Sequence, residues 1–410
     1  MTRDVFLYLR AFILTTVLCT SAHAQTVVAQ QDLYLDAMKS LAEGRKEDAS
    51  DALTRMIEQE PQHAGAWLDL AIIQCELGHK VEAERLFRTI ETKFAPPPGI
   101  LEVIAKQRAN GCKGWQAASR TTITMARGTD SNVNQGASSS TFTLGNEGHT
   151  IDLQLLPDYL PQRDQYRLLS AEYSRDLTQN GGVGFVQTQV RQNDSLKRYD
   201  TASAALGAEL PWRLSNWTVR GAGTLGLLTL DGKLYQQQGQ FQLRISPPTV
   251  LPEKVQLSML SSLTHIRYPT LTDFDSNTWE LRGLLNYRSS LTQAQASVGY
   301  LTDSAAKGRP GGNRDGWYLN LQTHTSIWKN VVGELGWTRQ TWTGASVYSP
   351  GLINRIRHQD TQIFRAALNA PISDHQNIQI ELREVRNKEN ISIFQYKDHQ
   401  LQVSWQWRMF

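Results

Sequence analysis

Two hydrophobic periods divide this chain. Between residues 31 and 110, Ala, Leu, Glu and Lys dominate and apolar side chains recur three and four positions apart, which predicts amphipathic helices. From residue 119 onward that spacing disappears. Segments of about 10 to 13 residues there alternate apolar and polar side chains, the period of a β-strand. Trp279, Leu281, Leu285 and Tyr287 share one face, and Glu280, Arg282 and Asn286 the other, with Leu284 an apolar exception. Trp317, Leu319, Leu321 and Ile327 oppose Asn320, Gln322 and His324, while Ile378, Ile380 and Leu382 oppose Gln379, Glu381 and Arg383. The final segment sets Leu401, Val403, Trp405, Trp407 and Met409 against Gln402, Ser404, Gln406 and Arg408. One face suits lipid and the other water, whereas a soluble sandwich would use shorter strands and two inward apolar faces.

Counting strands depends on the breaks. Short ones fall at residues 178–181, 213–216, 247–253, 289–292, 329–330 and 371–376. Longer polar ones fall at 193–199, 273–276, 302–315, 343–359 and 387–397, and a tight turn at 231–233. In bacterial barrels short turns face the periplasm and long loops face outward. A first strand at residues 119–127 and thirteen segments from 167 to 410 give a closed barrel of about 14 strands. Residues 150–156 then belong to an outer loop or extend a neighbouring strand; a 16-strand alternative needs two strands between 128 and 165. Nine of the 11 Trp lie after residue 200, several at strand ends such as Trp212, Trp217 and Trp328, as an interfacial girdle requires. Arg220, Arg244, Glu280, Arg282, Asn320, Gln322, Glu381 and Arg383 are expected to face the lumen, and Leu281, Leu321, Ile380 and Val403 the lipid.

The helical segment repeats. A shift of 34 positions aligns Leu33 with Trp67, Gly44 with Gly78, Ala49 with Ala83, Leu53 with Phe87 and Met56 with Ile90. Pro61 closes the first unit and Pro96 the second, and a helix at residues 99–108 follows the triple proline 96–98 as a cap. The period and the small-residue positions resemble tetratricopeptide repeats, about two of them, within residues 25–115. In such stacks the first helix of each pair lines the concave surface, which makes Tyr34, Met38, Leu41, Leu68 and Ile72 the groove candidates; the alternative is that they only pack. On the same ruler, Cys75 ends one first helix and Cys112 lies just past the end of the next, so the two are expected to form a disulfide in an oxidising compartment.

Composition narrows the rest. Arg3 and Arg10 flank the start, residues 11–18 are apolar, and Ala22-His23-Ala24 precedes Gln25, so residues 1–24 read as a secretory signal peptide. With 42 Lys+Arg against 39 Asp+Glu the chain is not a polybasic nucleic-acid binder. No run of 18 apolar residues exists, so no transmembrane helix is expected in the mature chain. Gly-rich phosphate loops, HExxH, GxSxG and CxxC are all missing, so no catalytic residue, cofactor or metal site is expected. Asp130-Ser131-Asn132-Val133-Asn134 starts like a calcium loop, yet Gln135 and Thr141 occupy the places of the required Gly and Glu.

A leader, a short tetratricopeptide module, the Asp130-Ser131-Asn132-Val133-Asn134 motif after the first strand, residues 389–396 before the last strand and a terminal Phe410 together resemble the surface lipoprotein assembly modifier (Slam) family. The helical part is short for that family, Glu389-Asn390 stands where Ser-Asn is usual, and Phe410 falls off the apolar face. The resemblance implies an α + β multidomain protein: periplasmic repeats, then an outer-membrane barrel that assists export or surface display of a macromolecule, a (lipo)protein captured by the repeats. Poly-N-acetylglucosamine export porins share the plan, so polysaccharide export stays open, as does a plugged barrel serving as a scaffold. The partners implied are outer-membrane lipid, a periplasmic or exported (lipo)protein client and the barrel-assembly machinery, with no nucleic acid.

Overall fold

The computed structural model describes residues 25–112, 116–146, 149–214, 217–248, 251–252, 254–328 and 330–409. Residues 1–24, expected to form a secretory leader, and Phe410 lie outside them. The chain divides into two compact units, one helical and one of β-structure.

The helical unit contains α1 (Gln25–Ala42), α2 (Lys46–Gln59), α3 (Ala64–Glu76), α4 (Lys80–Phe94) and α5 (Pro98–Ala109). Its core repeats with the sequence: Ala49 and Ala83, Leu53 and Phe87, and Met56 and Ile90 are all buried, Leu53 and Phe87 completely. The alanines let paired helices approach, and the larger residues fill the space between them. Gly44 and Gly78 both take positive φ, 76° and 84°, which ends α1 and α3 in the left-handed turn that glycine adopts at least cost. The same bond closes both turns: Arg45 N donates to Ser40 O and His79 N to Gln74 O, each at 2.9 Å. The capping helix runs over Pro98–Ala109, one residue wider at each end than its sequence pattern. Pro98 starts it without cost, because the first N–H of a helix has no partner within the helix.

The β unit contains β1 (Ser119–Asp130), β2 (Thr141–Asn146), β3 (His149–Gln154), β4 (Asp164–Asp176), β5 (Val183–Asn193), β6 (Thr201–Leu214), β7 (Trp217–Leu230) and β8 (Lys233–Ser246). It continues with β9 (Val255–Arg267), β10 (Ser276–Arg288), β11 (Thr292–Ala305), β12 (Arg314–Trp328), β13 (Val331–Ser349), β14 (Ile353–Ser373), β15 (Gln376–Glu389) and β16 (Tyr396–Met409). β4 to β16 pair antiparallel in chain order, and β1 pairs with both β4 and β16, so 14 strands close into a barrel. β2 and β3 stand outside the wall as a hairpin, bridged to β14 only between Gly145 and Ile353. Residues 150–156 therefore belong to the outer loop, and the 16-strand alternative is overturned.

One expectation fails plainly. Residues 343–359 were expected as a long loop, but β13 and β14 continue through them for 19 and 21 residues, leaving only 350–352 between. The ladder persists with register shifts after Thr343 and Val347. Away from lipid a strand needs no apolar face, so these residues lose the alternation while keeping their hydrogen bonds.

Parity assigns the faces. Across β9, β10 and β11 the register joins Ser262, Glu280 and Leu301 in one row and Ser261, Leu281 and Tyr300 in the next. Glu280 is 8% exposed and Leu281 40% exposed, although they are neighbours in sequence. Buried polar groups on one face and exposed Leu, Trp and Phe on the other define a polar interior and an apolar exterior. Trp279 and Tyr287 bracket the apolar run of β10. At about 3.3 Å per residue and about 40° of tilt, that run covers about 20 Å along the barrel axis, close to a hydrocarbon belt. Among the described residues no helix is long and apolar enough to cross a membrane.

Candidate functional site

The lumen lining is the candidate site, and ion pairs organise much of it. Arg220 bonds Glu209 at 2.8 Å and sits across from Arg244 in register. Arg244 Nη2 donates to Ser258 Oγ at 3.3 Å. Arg282 Nε donates to Glu280 at 2.7 Å, Ser262 Oγ donates to the same carboxylate at 3.3 Å, and the Arg282 guanidinium lies 3.8 Å from the Tyr318 ring centre. Asn320 Nδ2 donates to Thr338 Oγ1 at 2.8 Å. Gln322 stands opposite Gln295. Glu381 accepts from Arg365 at 2.8 Å, and Arg383 sits between Arg365 and Gln400 in register. All eight sequence-selected residues share the inner parity. Leu281, Leu321, Ile380 and Val403 share the outer one and are exposed.

Several partners are not apparent in the sequence. Arg365 bridges Glu381 to Glu334, the latter at 2.6 Å, and so joins three adjacent strands. At the long-loop end the fully buried Asp303 accepts from Arg309 and Arg314, each at 2.7 Å, and the Arg314 guanidinium lies 4.5 Å from the Trp342 ring centre. Arg191 bonds Asp130 at 2.5 Å across β4. Glycine makes one such crossing possible: a Cβ on Gly128 would lie 2.5 Å from the Tyr166 ring, and Tyr166 Oη passes over to donate to Gln402 at 3.1 Å. Inner parity is readable from each strand, but the partner depends on register.

The Asp130–Asn134 motif is a loop staple. Asn132 Nδ2 donates to Gly136 O at 2.9 Å and Lys397 O at 3.0 Å, while Gly136 N donates back to Asn132 Oδ1 at 2.7 Å. Asn134 Nδ2 donates to Leu160 O at 2.8 Å, and its Oδ1 accepts from Gln162 N at 2.9 Å. These amides stand in for backbone partners across residues 131–163. The carboxylate of Asp130 is already engaged by Asn132 N and Arg191, and the described residues hold no metal-type cluster of His, Cys, Asp and Glu.

In the helical unit, Cys75 and Cys112 form a disulfide with Cα atoms 4.5 Å apart. It ties the end of α3 to the segment after α5. Tyr34, Met38, Leu41, Leu68 and Ile72 are half-buried against the unit's own core, so part of each is committed to packing. Tyr34 Oη donates to Asp69 at 2.7 Å, which pushes the phenol up to about 12, with burial adding to the effect. Its ring lies 5.1 Å from that of His63. Arg108 joins α5 to α4 by bonding Glu91 and Glu84, and with Arg88 it holds the Glu84 carboxyl below the usual carboxylate range.

A family model for tetratricopeptide repeats matches residues 40–98. No curated protein matches the chain in sequence. Among solved structures, OmpT, an outer membrane protein of Vibrio cholerae, shares 5% identity over 72% of this chain and 99% of its own, with a TM-score of 0.38. OccAB3 of Acinetobacter baumannii shares 8% over 71% and 99%, with a TM-score of 0.37. A BenF-like porin of Pseudomonas fluorescens shares 10% over 72% and 99%, with a TM-score of 0.34. Scores this low add nothing to what the strand register establishes. Closure, apolar exterior and polar lining define a transmembrane β-barrel. The chain is such a barrel carrying a tetratricopeptide-like module.

Proposed function

We propose that this chain is an outer-membrane protein that assists export or surface display of a macromolecule, a (lipo)protein taken up by its helical repeats. One observation carries the reading: a repeat module precedes a closed barrel in the same chain and joins it at the short-turn end, where β1 begins and β16 finishes. In bacterial barrels that end faces the periplasm. The repeats are then positioned to meet a client before it crosses, and the barrel supplies the route or the insertion site. The half-exposed faces of Tyr34, Met38, Leu41, Leu68 and Ile72 are the contact candidates. The work asked of the barrel is binding and passage rather than catalysis. Outer-membrane lipid and the barrel-assembly machinery are its other partners.

Deleting residues 31–110 while keeping the leader tests this. The barrel should still assemble, judged by heat-modifiable gel mobility, while labelling of intact cells should show a lipoprotein client lost from the surface. Unchanged display of every surface lipoprotein would overturn the role of the repeats.

A further inference from the structure

We infer that the lumen carries an oxyanion-binding site at its short-turn end, built from Arg244, Lys254, Arg288 and His324 with the amides of Gln295 and Gln322. These residues line a cavity of 410 Å³ between β8 and β12. Two rows of the register build its wall. Arg288, Gln293 and His324 are cross-strand neighbours in one row, and Asn286, Gln295 and Gln322 in the next row on the same face. Arg244 and Lys254 close it from the side of β8 and the following turn.

Much of the lumen's positive charge is neutralised. Elsewhere Arg191, Arg220, Arg282, Arg314, Arg357 and Arg365 each bond a carboxylate. Among the described residues the cavity lining holds no carboxylate, and none of them forms an ion pair with Lys254 or Arg288. Glu334 approaches His324 at 3.4 Å, but Arg365 and Asn369 already hold it, at 2.6 and 2.7 Å. Clustered cations in a concave wall repel one another and raise the local anion concentration. A guanidinium fork matches the paired oxygens of a carboxylate or phosphate, the ammonium adds a point charge, and the amide N–H groups complete the shell. The ligand chemistry is therefore a carboxylate- or phosphate-bearing solute or group entering the lumen.

The test uses the purified full-length protein in detergent at low salt, titrated calorimetrically with citrate and separately with pyrophosphate. Saturable binding of at least one is expected; a preference for citrate identifies carboxylate ligands, and a preference for pyrophosphate identifies phosphate ligands. Replacing Lys254 and Arg288 by Gln together should weaken binding roughly tenfold or more, since each removes a charge-assisted contact. Arg288→Gln alone should give a smaller loss, and Arg288→Lys, which keeps the charge and loses the fork, should fall between Arg288→Gln and the native protein. Arg408→Gln, on the strand across the barrel, should change nothing. No saturable binding by the native protein, or an equal loss from Arg408→Gln, would overturn the site. Export plays no part in this measurement, so its failure leaves the proposed function standing.

Discussion

Leu321 and Gln322 are adjacent on β12 and point to opposite sides of the wall, so one substitution placed at each reads the two environments at the same depth. Leu321 is the eighth of the 15 residues of β12, which puts it near the middle of the apolar belt. It is 43% exposed, with Ala296 and Trp337 as cross-strand neighbours. Gln322 lies beside Gln295 and Gly336 on the lumen face. Leu321→Arg places a guanidinium in hydrocarbon, which costs roughly 2 to 4 kcal/mol at the midplane of a barrel. Gln322→Arg leaves the charge in water, with a cost within about 0.5 kcal/mol. A cost of roughly 2 to 4 kcal/mol corresponds to roughly 30- to 900-fold in the folding equilibrium. Urea titration in phospholipid vesicles, followed by tryptophan emission and by the fraction running as the compact band on unheated gels, measures both variants. Leu321→Arg should shift the midpoint strongly and Gln322→Arg hardly at all. Equal destabilisation, or a larger loss from Gln322→Arg, would refute the assignment of the faces.

Replacing both Cys75 and Cys112 by Ser should destabilise the helical unit by about 4 kcal/mol, the chain-entropy value for a 37-residue separation; melting of the helical circular-dichroism signal of the full-length protein checks this, and an unchanged midpoint refutes it. The Tyr34 phenol, raised from its usual 10 to about 12, contributes stability that is complete below about pH 10 and lost as the pH rises through about 12; an ultraviolet titration of native protein against Tyr34→Phe should show one tyrosine missing from the late phase. Asn132→Ala removes a buried side chain bonded to Gly136 and Lys397 and should cost about 2 to 3 kcal/mol locally, seen as faster chymotrypsin cleavage within residues 131–163, after Phe142 or Tyr159, and little change in the barrel's own midpoint.

Strand parity and the helical period are local properties, and the sequence by itself determined them. Leu281 and Glu280 fall on opposite faces because consecutive side chains in a strand must, whatever pairs with them. Leu53 and Phe87 recur 34 residues apart in equivalent buried places because a repeat unit buries the same face in each copy. Gly44 and Gly78 are likewise legible, since a left-handed turn selects glycine. Register, closure and cross-strand partnership are not local, and only the tertiary structure decided them. Nothing in the order of residues shows that Arg365 meets both Glu334 and Glu381, because that depends on how β13, β14 and β15 align. Residues 343–359 looked like a loop because their alternation fades, although hydrogen bonds to the neighbouring strand keep them extended. The cavity of Arg244, Lys254, Arg288 and His324 was out of reach for the same reason: its cations lie up to 80 residues apart and come together only when the barrel closes.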